Sequence, residues 1–315
     1  MNTHAPNLEV VLATWNGARY LPELLHSIRS QSLRPRRVLV RDDVSSDTTP
    51  NIIKEWASRW PGWLIELPSD SRLGCNGNFA ALLQASQAPF VALADQDDRW
   101  DPDKLEILMG AMQSAAAAQP AGTPLLVHSD LRLMDCNGRP LATSFLRHQG
   151  LNPTSDSPNA LTLQNVVTGC ACLVNRDLIE MALPLPMAVV QHDHWLALVA
   201  ACKGAIVYLN QPLLSYRLHR DNAVGAMGTR RAYLRERLHS LGGDQSPRQR
   251  LRRCLHQAQA LNAHLGRQEL TITAFQEAPP LQRMRMIATG QLKKSGLIRQ
   301  LGLTLLLVRS IVKGL

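Results

Sequence analysis

The chain passes through Phe90-Val91-Ala92-Leu93-Ala94-Asp95-Gln96-Asp97-Asp98-Arg99-Trp100, where five apolar residues run directly into three acids. A short apolar run bounded by turn residues predicts a buried strand of an α/β sheet, and ligands of such sheets bind beyond the carboxyl ends of the strands. Carboxylates this close repel each other unless a hard cation such as Mg²⁺ or Mn²⁺ offsets their charge. We therefore predict a site for a metal and a diphosphate at Asp95 and Asp97. The alternative, capping of the following helix, explains only Asp98 and Asp101.

Strand-like and helical patterns alternate through the first hundred residues. The strands are predicted at 9–13, 37–41, 64–67 and 90–94, and the helices at 21–31, 48–59 and 78–86. This alternation favours a doubly wound, mostly parallel α/β sheet with helices on its faces. Polar residues follow the first, second and fourth strands, so we expect three polar clusters at one edge of the sheet.

The chain beyond residue 124 adds further elements and one long loop. Strands are predicted at 125–133, 166–174, 206–209 and 213–217, and a helix begins near Asp193. The segment 136–158 is rich in Pro, Ser, Asn and Gly and predicts a long loop, of a kind that often binds substrate or moves as a lid.

Charge divides the chain into two parts. Residues 1–226 carry 18 Lys and Arg against 21 Asp and Glu, whereas residues 227–315 carry 16 against 4, so the net +9 divides into −3 and +12. We predict an α/β domain at 1–226 and a basic, helical region at 227–315. Such a charge pattern favours contact with nucleic acid or with an anionic membrane. Only Tyr233 and Phe275 offer stacking rings in the second part, which disfavours nucleic acid.

Apolar residues lie between the Lys and Arg residues of the region 227–315. Eight arginines fall in predicted helices: Arg230, Arg231, Arg235, Arg237, Arg248, Arg250, Arg252 and Arg253. Seven more bases and no acid follow between residues 281 and 315. This combination suits amphipathic helices on an anionic membrane, where each Lys or Arg near the surface contributes about 1 kcal/mol to the binding free energy. The alternative is a helical appendage whose apolar face packs on the body.

Cysteine usage and targeting signals both indicate a cytoplasmic protein. None of the six cysteines forms a Cys-x-x-Cys pair, so we expect reduced, mostly buried thiols; a disulfide or half a metal site at Cys170 and Cys172 is the alternative. The N-terminus shows no signal-peptide pattern. The apolar run 301–308 is far below the roughly 20 residues that a membrane span needs.

Six short motifs follow one another between residues 8 and 226. They are Thr14-Trp15-Asn16-Gly17, Asp42-Asp43-Val44-Ser45-Ser46-Asp47-Thr48, Asp95-Gln96-Asp97-Asp98-x-Trp100, Thr168-Gly169-Cys170, His192-Asp193-His194-Trp195 and Tyr216-Arg217-x-His219-x-x-Asn222-x-Val224-Gly225. The first three resemble signatures of the family 2 nucleotide-sugar glycosyltransferases, and the last three resemble its subgroup that builds bacterial surface polysaccharides, including rhamnosyltransferase-like members. The resemblance implies the GT-A fold, a mixed, mostly parallel sheet flanked by helices.

The resemblance also implies a nucleotide pocket at the first two motifs. Asp43 would accept a hydrogen bond from the imide N–H of a pyrimidine base, since a carboxylate only accepts. Thr14, Asn16 and Asp42 would line the same pocket, and Arg72 would reach the base or a phosphate. The alternative for Asp42 is a capping turn before the helix at residue 48. Val44 stands where the family usually has glycine, which makes the geometry of this turn uncertain.

The third motif would hold the metal. Asp95 and Asp97 would bind Mn²⁺ or Mg²⁺ against the diphosphate of the donor, with Asp97 the stronger candidate for direct coordination and Asp95 also at the nucleotide. His219 would add a further metal or phosphate contact. The alternative for His219 is an ordinary hydrogen-bonding group on a loop.

The resemblance places the catalytic base at Asp193. Displacement with inversion needs a carboxylate that takes the proton of the acceptor hydroxyl. His192 and His194 are alternatives for this acid–base role, although flanking histidines more often bind substrate, and a helix N-cap is the structural alternative for Asp193. His192, His194 and Trp195 are predicted to bind the acceptor, where relatives tend to carry two aromatic residues after the acid.

Residues 96–100 also spell the Gln-x-x-Arg-Trp motif of processive polysaccharide synthases, but here the motif overlaps the metal motif and no spanning helix is predicted. We therefore expect transfer of one or a few sugars to a saccharide or lipid-linked acceptor, by a cytoplasmic enzyme that is peripheral on the inner membrane face. The first alternative is a nucleotidyltransferase, which should carry a glycine-rich phosphate loop after its first strand. The second is a catalytically inactive nucleotide-sugar-binding module that assembles other proteins.

Overall fold

The structure is a computed structural model that describes residues 8–219 and 247–313. Several predicted features lie outside the described residues. They are the end of the last motif (Asn222, Val224 and Gly225), the predicted boundary at 226/227, and Arg230, Arg231, Tyr233, Arg235 and Arg237. No described helix is long and apolar enough to cross a membrane.

Nine strands form one mixed sheet. They are β1 (Leu8–Thr14), β2 (Arg37–Asp42), β3 (Leu64–Glu66), β4 (Phe90–Asp95), β5 (Arg99–Trp100), β6 (Leu125–Met134), β7 (Pro140–Ala142), β8 (Cys172–Asn175) and β9 (Ala205–Arg217). The order is β3-β2-β1-β4-β8-β6-β9-β5, and β7 pairs with β6. Strands β1 to β4 are parallel, whereas β8 is antiparallel to both neighbours. The predicted mixed α/β fold is confirmed.

The described helices flank the sheet or follow it in the chain. They are α1 (Leu21–Arg29), α2 (Thr49–Arg59), α3 (Gly74–Ala85), α4 (Lys104–Ala118), α5 (Phe145–Gln149), α6 (Pro158–Leu163), α7 (Arg176–Ala182), α8 (His192–Lys203), α9 (Pro247–Leu265), α10 (Thr271–Glu277), α11 (Pro280–Ala288) and α12 (Leu297–Lys313). Helices α1 to α3 alternate with β1 to β4, as the sequence predicts.

The central strands are buried on both faces. Leu8, Val10, Val11 and Leu12 of β1 are fully buried, as are Val91 to Ala94 of β4. Strands covered by helices on both sides have near-continuous apolar sequences, which is why these runs could be recognised in the chain.

Three predictions for the second half of the chain need correction. The segment 136–158 is not a plain loop, because it contains β7 and α5. The apolar run 166–174 divides into a 3-10 turn (Gly169–Ala171) and the start of β8. The two strands predicted at 206–209 and 213–217 are one strand, β9, which pairs with β6 on one side and β5 on the other.

The described residues divide into two compact units. The first comprises residues 8–145, Val167–Leu185 and Gln191–His219 and contains the sheet. The second comprises Leu146–Val166, Pro186–Val190 and residues 247–313. Two segments of the predicted α/β domain therefore belong to the second unit. The core of the second unit includes Leu255, Leu261, Phe275 and Leu307.

Candidate active site

The ends of β1, β2 and β4 meet at one edge of the sheet. In the parallel register, Thr14 lies opposite Asp42 and Ala13 lies opposite Asp95. The Gln96 side-chain amide donates to the Trp15 carbonyl oxygen (2.9 Å) and accepts from the Trp15 N–H (2.8 Å). A Cβ at Gly17 would lie 2.1 Å from Gln96 Oε1, so only glycine allows this approach. The three polar clusters expected at one sheet edge are thus brought together.

Protein donors satisfy the Asp42 carboxylate. Oδ1 accepts from Thr14 Oγ1 (2.8 Å) and Ser45 Oγ (2.6 Å), and Oδ2 accepts from the Ser45 N–H (2.7 Å). Thr14 and Asp42 are both buried. These hydrogen bonds connect the end of β1 to the turn after β2, so the Asp42 carboxylate has a structural role there.

The Asp43 carboxylate holds the segment before α3. It accepts from the backbone N–H of Leu73 (2.7 Å) and of Gly74 (2.9 Å), and it lies beside the guanidinium groups of Arg41 and Arg72. Each carboxylate oxygen has about two acceptor sites, so Asp43 retains capacity for a further donor. Arg72 also lies over the Trp15 ring, with its guanidinium carbon 3.9 Å from the ring centroid.

Two non-glycine residues of these turns adopt left-handed backbone angles. Asn16 has φ +49° and Val44 has φ +61°. Asn16 Oδ1 accepts from the Ser46 N–H (2.8 Å), which stabilises the contact between the two turns. Val44 is half-exposed and β-branched. It therefore adopts a left-handed conformation that favours glycine at the cost of backbone strain.

The acids after β4 are crowded and incompletely paired. Burial, Asp97 and Asp193 raise the pKa of Asp95 to about 7. Burial and the charges of Asp97 and Asp95 raise the pKa of Asp98 well above its usual range. Asp98 is fully buried, and its Oδ2 has no hydrogen-bond partner among the described residues. Asp98 was predicted as a supporting or capping residue, but the structure places it inside the cluster.

The end of β9 brings two residues to this cluster. His219 Nε2 lies 2.6 Å from Asp97 Oδ2, and the His219 ring packs beside Tyr20. Arg217 Nε donates to the Asp97 carbonyl oxygen (2.9 Å), and its guanidinium pairs with Glu23 (2.5 Å). Arg217 stands within the last motif but was given no role; it holds the backbone that presents Asp97.

A buried lysine below the acids was missed by the sequence analysis. Lys104 is fully buried at the start of α4, where its ammonium donates to the Cys170 carbonyl oxygen (2.6 Å) and lies over the Trp100 ring. Burial lowers the pKa of Lys104 to about 8, against the opposing effect of Cys170 and Asp98. The available signal was that Lys104 precedes Leu108 by four residues and Met112 by eight, which places it on the apolar face of the helix.

Asp193 lies in the first turn of α8. Its Oδ2 accepts from the Gly169 N–H (3.0 Å) and its Oδ1 from the His194 N–H (2.6 Å). Burial raises the pKa of Asp193 to about 6, although these backbone bonds favour the ionised form. The effect of the Asp193 charge on Asp95 places the two carboxylates in one electrostatic environment.

The residues around Asp193 are less accessible than predicted. Trp195 is fully buried, and its indole N–H donates to the Ala182 carbonyl oxygen (2.9 Å), so it packs in the core. Acceptor binding by Trp195 stays a prediction. His192 is buried and stacks on Phe79 at 3.8 Å between ring centroids. Burial lowers the pKa of His192 to about 3, which disfavours it as a base. His194 is also buried.

The acid cluster fits a divalent cation. The imidazole nitrogen of His219 and the carboxylate oxygen of Asp97 already lie together, a donor pair suited to first-row divalent ions. Ligand atoms of Asp95, Asp98 and Cys170 also lie within 4.8 Å of one another. Asp98 Oδ2 has no hydrogen-bond partner among the described residues, and burial together with the charges of Asp97 and Asp193 raises the pKa of Asp95. All six cysteines are free thiols.

The comparison with protein families gives one assignment. The sequence model described as "Glycosyl transferase family 2" matches residues 9–179, which is more than half of the chain.

Curated relatives cover different shares of the chain. An uncharacterised protein of Mycobacterium tuberculosis is 34% identical over 100 residues, 31% of this chain and 29% of its own length. The chain thus spans less than a third of that relative. The putative teichuronic acid biosynthesis glycosyltransferase TuaG of Bacillus subtilis is 26% identical over 69% of this chain and 81% of its own length. The dTDP-rhamnosyl transferase RfbG of Shigella flexneri is 33% identical over 30% of this chain and 34% of its own length.

Solved structures share the fold. The mannosyltransferase PcManGT of Pyrobaculum calidifontis, solved with GDP-Man and Mn²⁺, has a TM-score of 0.54 at 17% identity and covers 99% of this chain and 88% of its own. TarS residues 1–349 of S. aureus, solved with UDP-GlcNAc, has a TM-score of 0.50 at 16% identity and covers 85% of this chain and 75% of its own.

Proposed function

Because the chain belongs to glycosyl transferase family 2, we propose that it transfers a sugar from a nucleoside-diphosphate donor to a hydroxyl of a saccharide or lipid-linked acceptor in surface-polysaccharide synthesis. The names of TuaG, a putative teichuronic acid biosynthesis glycosyltransferase, and RfbG, a dTDP-rhamnosyl transferase, support this acceptor class and a hexosyl- or rhamnosyltransferase type. The nucleotide sugars bound by TarS and PcManGT support the donor class.

One observation carries the proposal: the Gly169 N–H donates to the Asp193 carboxylate, and the ligand atom of the adjacent Cys170 lies with those of Asp95 and Asp98. Burial, and then the negative charges of Asp97 and Asp193, raise the pKa of Asp95 to about 7. A donor diphosphate cannot approach such a cluster without a cation, and a base close to the cluster can reach an acceptor hydroxyl. The arrangement supports a metal-dependent transfer.

Asp97 and His219 would hold Mn²⁺ or Mg²⁺, with Asp95 completing the acidic side of the site. The ion would offset the negative charge that develops on the leaving nucleoside diphosphate. Arg217 fixes the Asp97 backbone. The Lys104 ammonium offsets part of the negative charge of the buried acids Asp95 and Asp98.

The nucleotide would lie against the turns after β1 and β2. Asp43 orders the segment before α3 and has acceptor capacity left for the imide N–H of a pyrimidine base. Arg72 and Trp15 are both exposed and stack on each other, so they form a cationic, aromatic surface for the base or a phosphate. Thr14, Asp42 and Asn16 shape this pocket rather than contact the base.

Asp193 would take the acceptor proton. As the acceptor oxygen bonds to the anomeric carbon, its proton passes to the Asp193 carboxylate, and the bond between that carbon and the diphosphate oxygen breaks with its electron pair on the diphosphate. Attack from the face opposite the leaving group inverts the anomeric configuration. A pKa of about 6 leaves Asp193 mostly ionised at neutral pH and a stronger base than an ordinary carboxylate.

We place this activity at the inner face of the cytoplasmic membrane, with peripheral attachment through the basic second unit and no nucleic-acid partner. Twelve Lys and Arg stand against two Glu in residues 247–313, which supports an anionic surface as partner.

Calorimetry with nucleoside diphosphates and their sugars, with and without Mn²⁺, tests the proposal. We expect selective binding of one nucleoside diphosphate that needs the metal, and loss of that binding in Asp97→Asn but not in the exposed control Glu55→Gln. Metal-dependent binding without transfer to any acceptor would favour the inactive assembly module. Release of pyrophosphate from a nucleoside triphosphate would favour the nucleotidyltransferase.

A further inference from the structure

The second unit contains a cavity of about 440 Å³. Two chain segments line it, residues 150–164 and residues 293–296. Their contact is fixed by the Ser295 N–H, which donates to Gln164 Oε1 (2.7 Å), and by Arg299, which donates to the Gly150 carbonyl oxygen (3.1 Å). The cavity is therefore a built feature of this unit.

Cationic and neutral hydrogen-bonding groups line the cavity. Its lining residues include Lys293 and Lys294, whose side chains end in ammonium groups, and Asn152, Ser155 and Ser295, whose side chains carry amide and hydroxyl groups. None of the described residues that line it is acidic. Lysine ammonium and hydroxyl donors of this kind recognise phosphate oxygens.

An exposed apolar stripe begins directly after the cavity. Leu297, Leu301, Leu305 and Val308 of α12 are 77%, 56%, 64% and 37% exposed. Their spacing of four, four and three residues places them on one face of the helix. Leu303 and Leu307 on the other face are buried in the unit. Seventeen residues make a helix of roughly 25 Å, which suits lying along a membrane surface.

We propose that the cavity binds the phosphate headgroup of an anionic phospholipid while the leucine stripe of α12 lies in the interfacial layer of the bilayer. Charge complementarity selects this occupant, because the described residues of the second unit carry 13 Lys and Arg against 3 Asp and Glu. A phosphate at Lys293 and Lys294 would lie next to the first residue of the stripe, Leu297. In a phospholipid the phosphate likewise lies close to the apolar part of the molecule. The inference deepens the membrane attachment in the proposed function and rests on it.

Vesicle flotation of the full chain tests the inference without donor or acceptor. We expect the wild type to float with phosphatidylcholine vesicles that contain phosphatidylglycerol and to remain unbound with phosphatidylcholine alone. The double variant K293Q/K294Q should bind at least about tenfold more weakly. The matched control R252Q/R267Q removes two exposed charges of the same unit and should bind within about threefold of the wild type.

The leucine stripe has its own test. L301Q/L305Q should also reduce flotation about tenfold or more, with a thermal midpoint close to that of the wild type because both residues are exposed. Equal losses in K293Q/K294Q and R252Q/R267Q would overturn the headgroup site in favour of diffuse attraction. Stabilisation of the chain by inorganic phosphate with no vesicle binding would overturn the lipid source. A chain that transfers sugar but does not float overturns this inference and the membrane attachment on which it rests, but not the sugar transfer. A chain that floats without transferring sugar overturns the proposed transfer and leaves this inference standing.

Discussion

Asp42 and Asp43 at the end of β2 differ from Asp95, Asp97 and Asp98 at the end of β4 in their partners. The β2 carboxylates accept hydrogen bonds from backbone and hydroxyl groups, and Asp43 also lies beside two arginines. The β4 carboxylates crowd one another, and Asp98 keeps one oxygen unpaired among the described residues. Both groups stand at neighbouring strand ends of one sheet.

This difference in hydrogen-bond partners predicts which carboxylates stabilise the fold and which act in binding and catalysis. A carboxylate whose acceptor sites are filled by protein donors stabilises its turn, and removing it costs folding free energy. A cluster of carboxylates with too few donors is unfavourable until a cation arrives, and removing one member costs binding and rate instead. We therefore expect Asp42 to affect stability first and the β4 acids to affect activity first.

The largest expected effect is at Asp97. Asp97→Asn should lower kcat/KM by about 10³-fold, since it removes a charged group at the point where negative charge develops in the transition state. Initial rates across a Mn²⁺ titration measure the loss. If Asp97→Asn loses no more activity than Glu55→Gln, the β4 acids are structural and the contrast with β2 disappears.

The next effect is at Asp193. Asp193→Asn should lower the single-turnover rate by about 10²- to 10³-fold while the donor binds within about threefold of its wild-type affinity, because proton transfer is lost and the donor site is kept. Calorimetry with the donor and Mn²⁺ is the control. A parallel loss of donor affinity would assign Asp193 to the nucleotide site.

The pH dependence gives a third test. Burial raises the pKa of Asp193 to about 6, and the ionised carboxylate is the active form, so kcat should fall as the pH drops through about 6 and level off above about 7. Rates from pH 5 to 8 at saturating metal check this. A profile that stays flat down to pH 4.5 would contradict a base with a raised pKa.

Asp42 should affect stability more than catalysis. Asp42→Ala leaves the buried Thr14 hydroxyl and the partly buried donors of Ser45 without their acceptor, so the free energy of unfolding should fall by about 2–3 kcal/mol. Urea denaturation measures it. The double variant Thr14→Val/Asp42→Ala should lose less than the sum of its single variants, because the two side chains share one hydrogen bond.

The smallest effect is at Val44, and its sign is opposite. Val44→Gly should raise the free energy of unfolding by up to about 1 kcal/mol, because glycine adopts φ near +61° without the steric cost that a β-branched residue bears. Val44→Ala keeps a Cβ and should gain less in the same urea experiment. A loss in Val44→Gly would show that the valine side chain stabilises the turn.

The strand ends of the site follow from local sequence. Apolar runs of four to six residues that stop at polar residues predict parallel strands whose ends meet at one edge of the sheet, and the structure confirms this for β1, β2 and β4. In the structure His219 also contacts Asp97, although 122 positions separate the two residues in the chain. The ordered motifs indicated both residues before the fold was known.

Burial could not be predicted in the same way. Asp98 is predicted as a possible helix cap but is fully buried. Trp195 is predicted to bind the acceptor but packs in the core, and the burial of Lys104 was not predicted from the sequence. A side chain's exposure depends on which elements cover it, and those elements come from distant parts of the chain. Asp98 and Lys104 both lie beside Cys170, a neighbour more than 60 positions away.

The sequence by itself determined the sheet edge, the residue types at it and the family to which they belong, because apolar period and motif order act over short stretches of chain. Only the tertiary structure decided which acids are satisfied and which are not. The pairing of β9 with β5 and β6 brings Arg217 and His219 to the acids. Burial raises the pKa values of Asp95 and Asp98. Hydrogen-bond partners and desolvation are properties of the packed molecule, so they could be learned only from the fold.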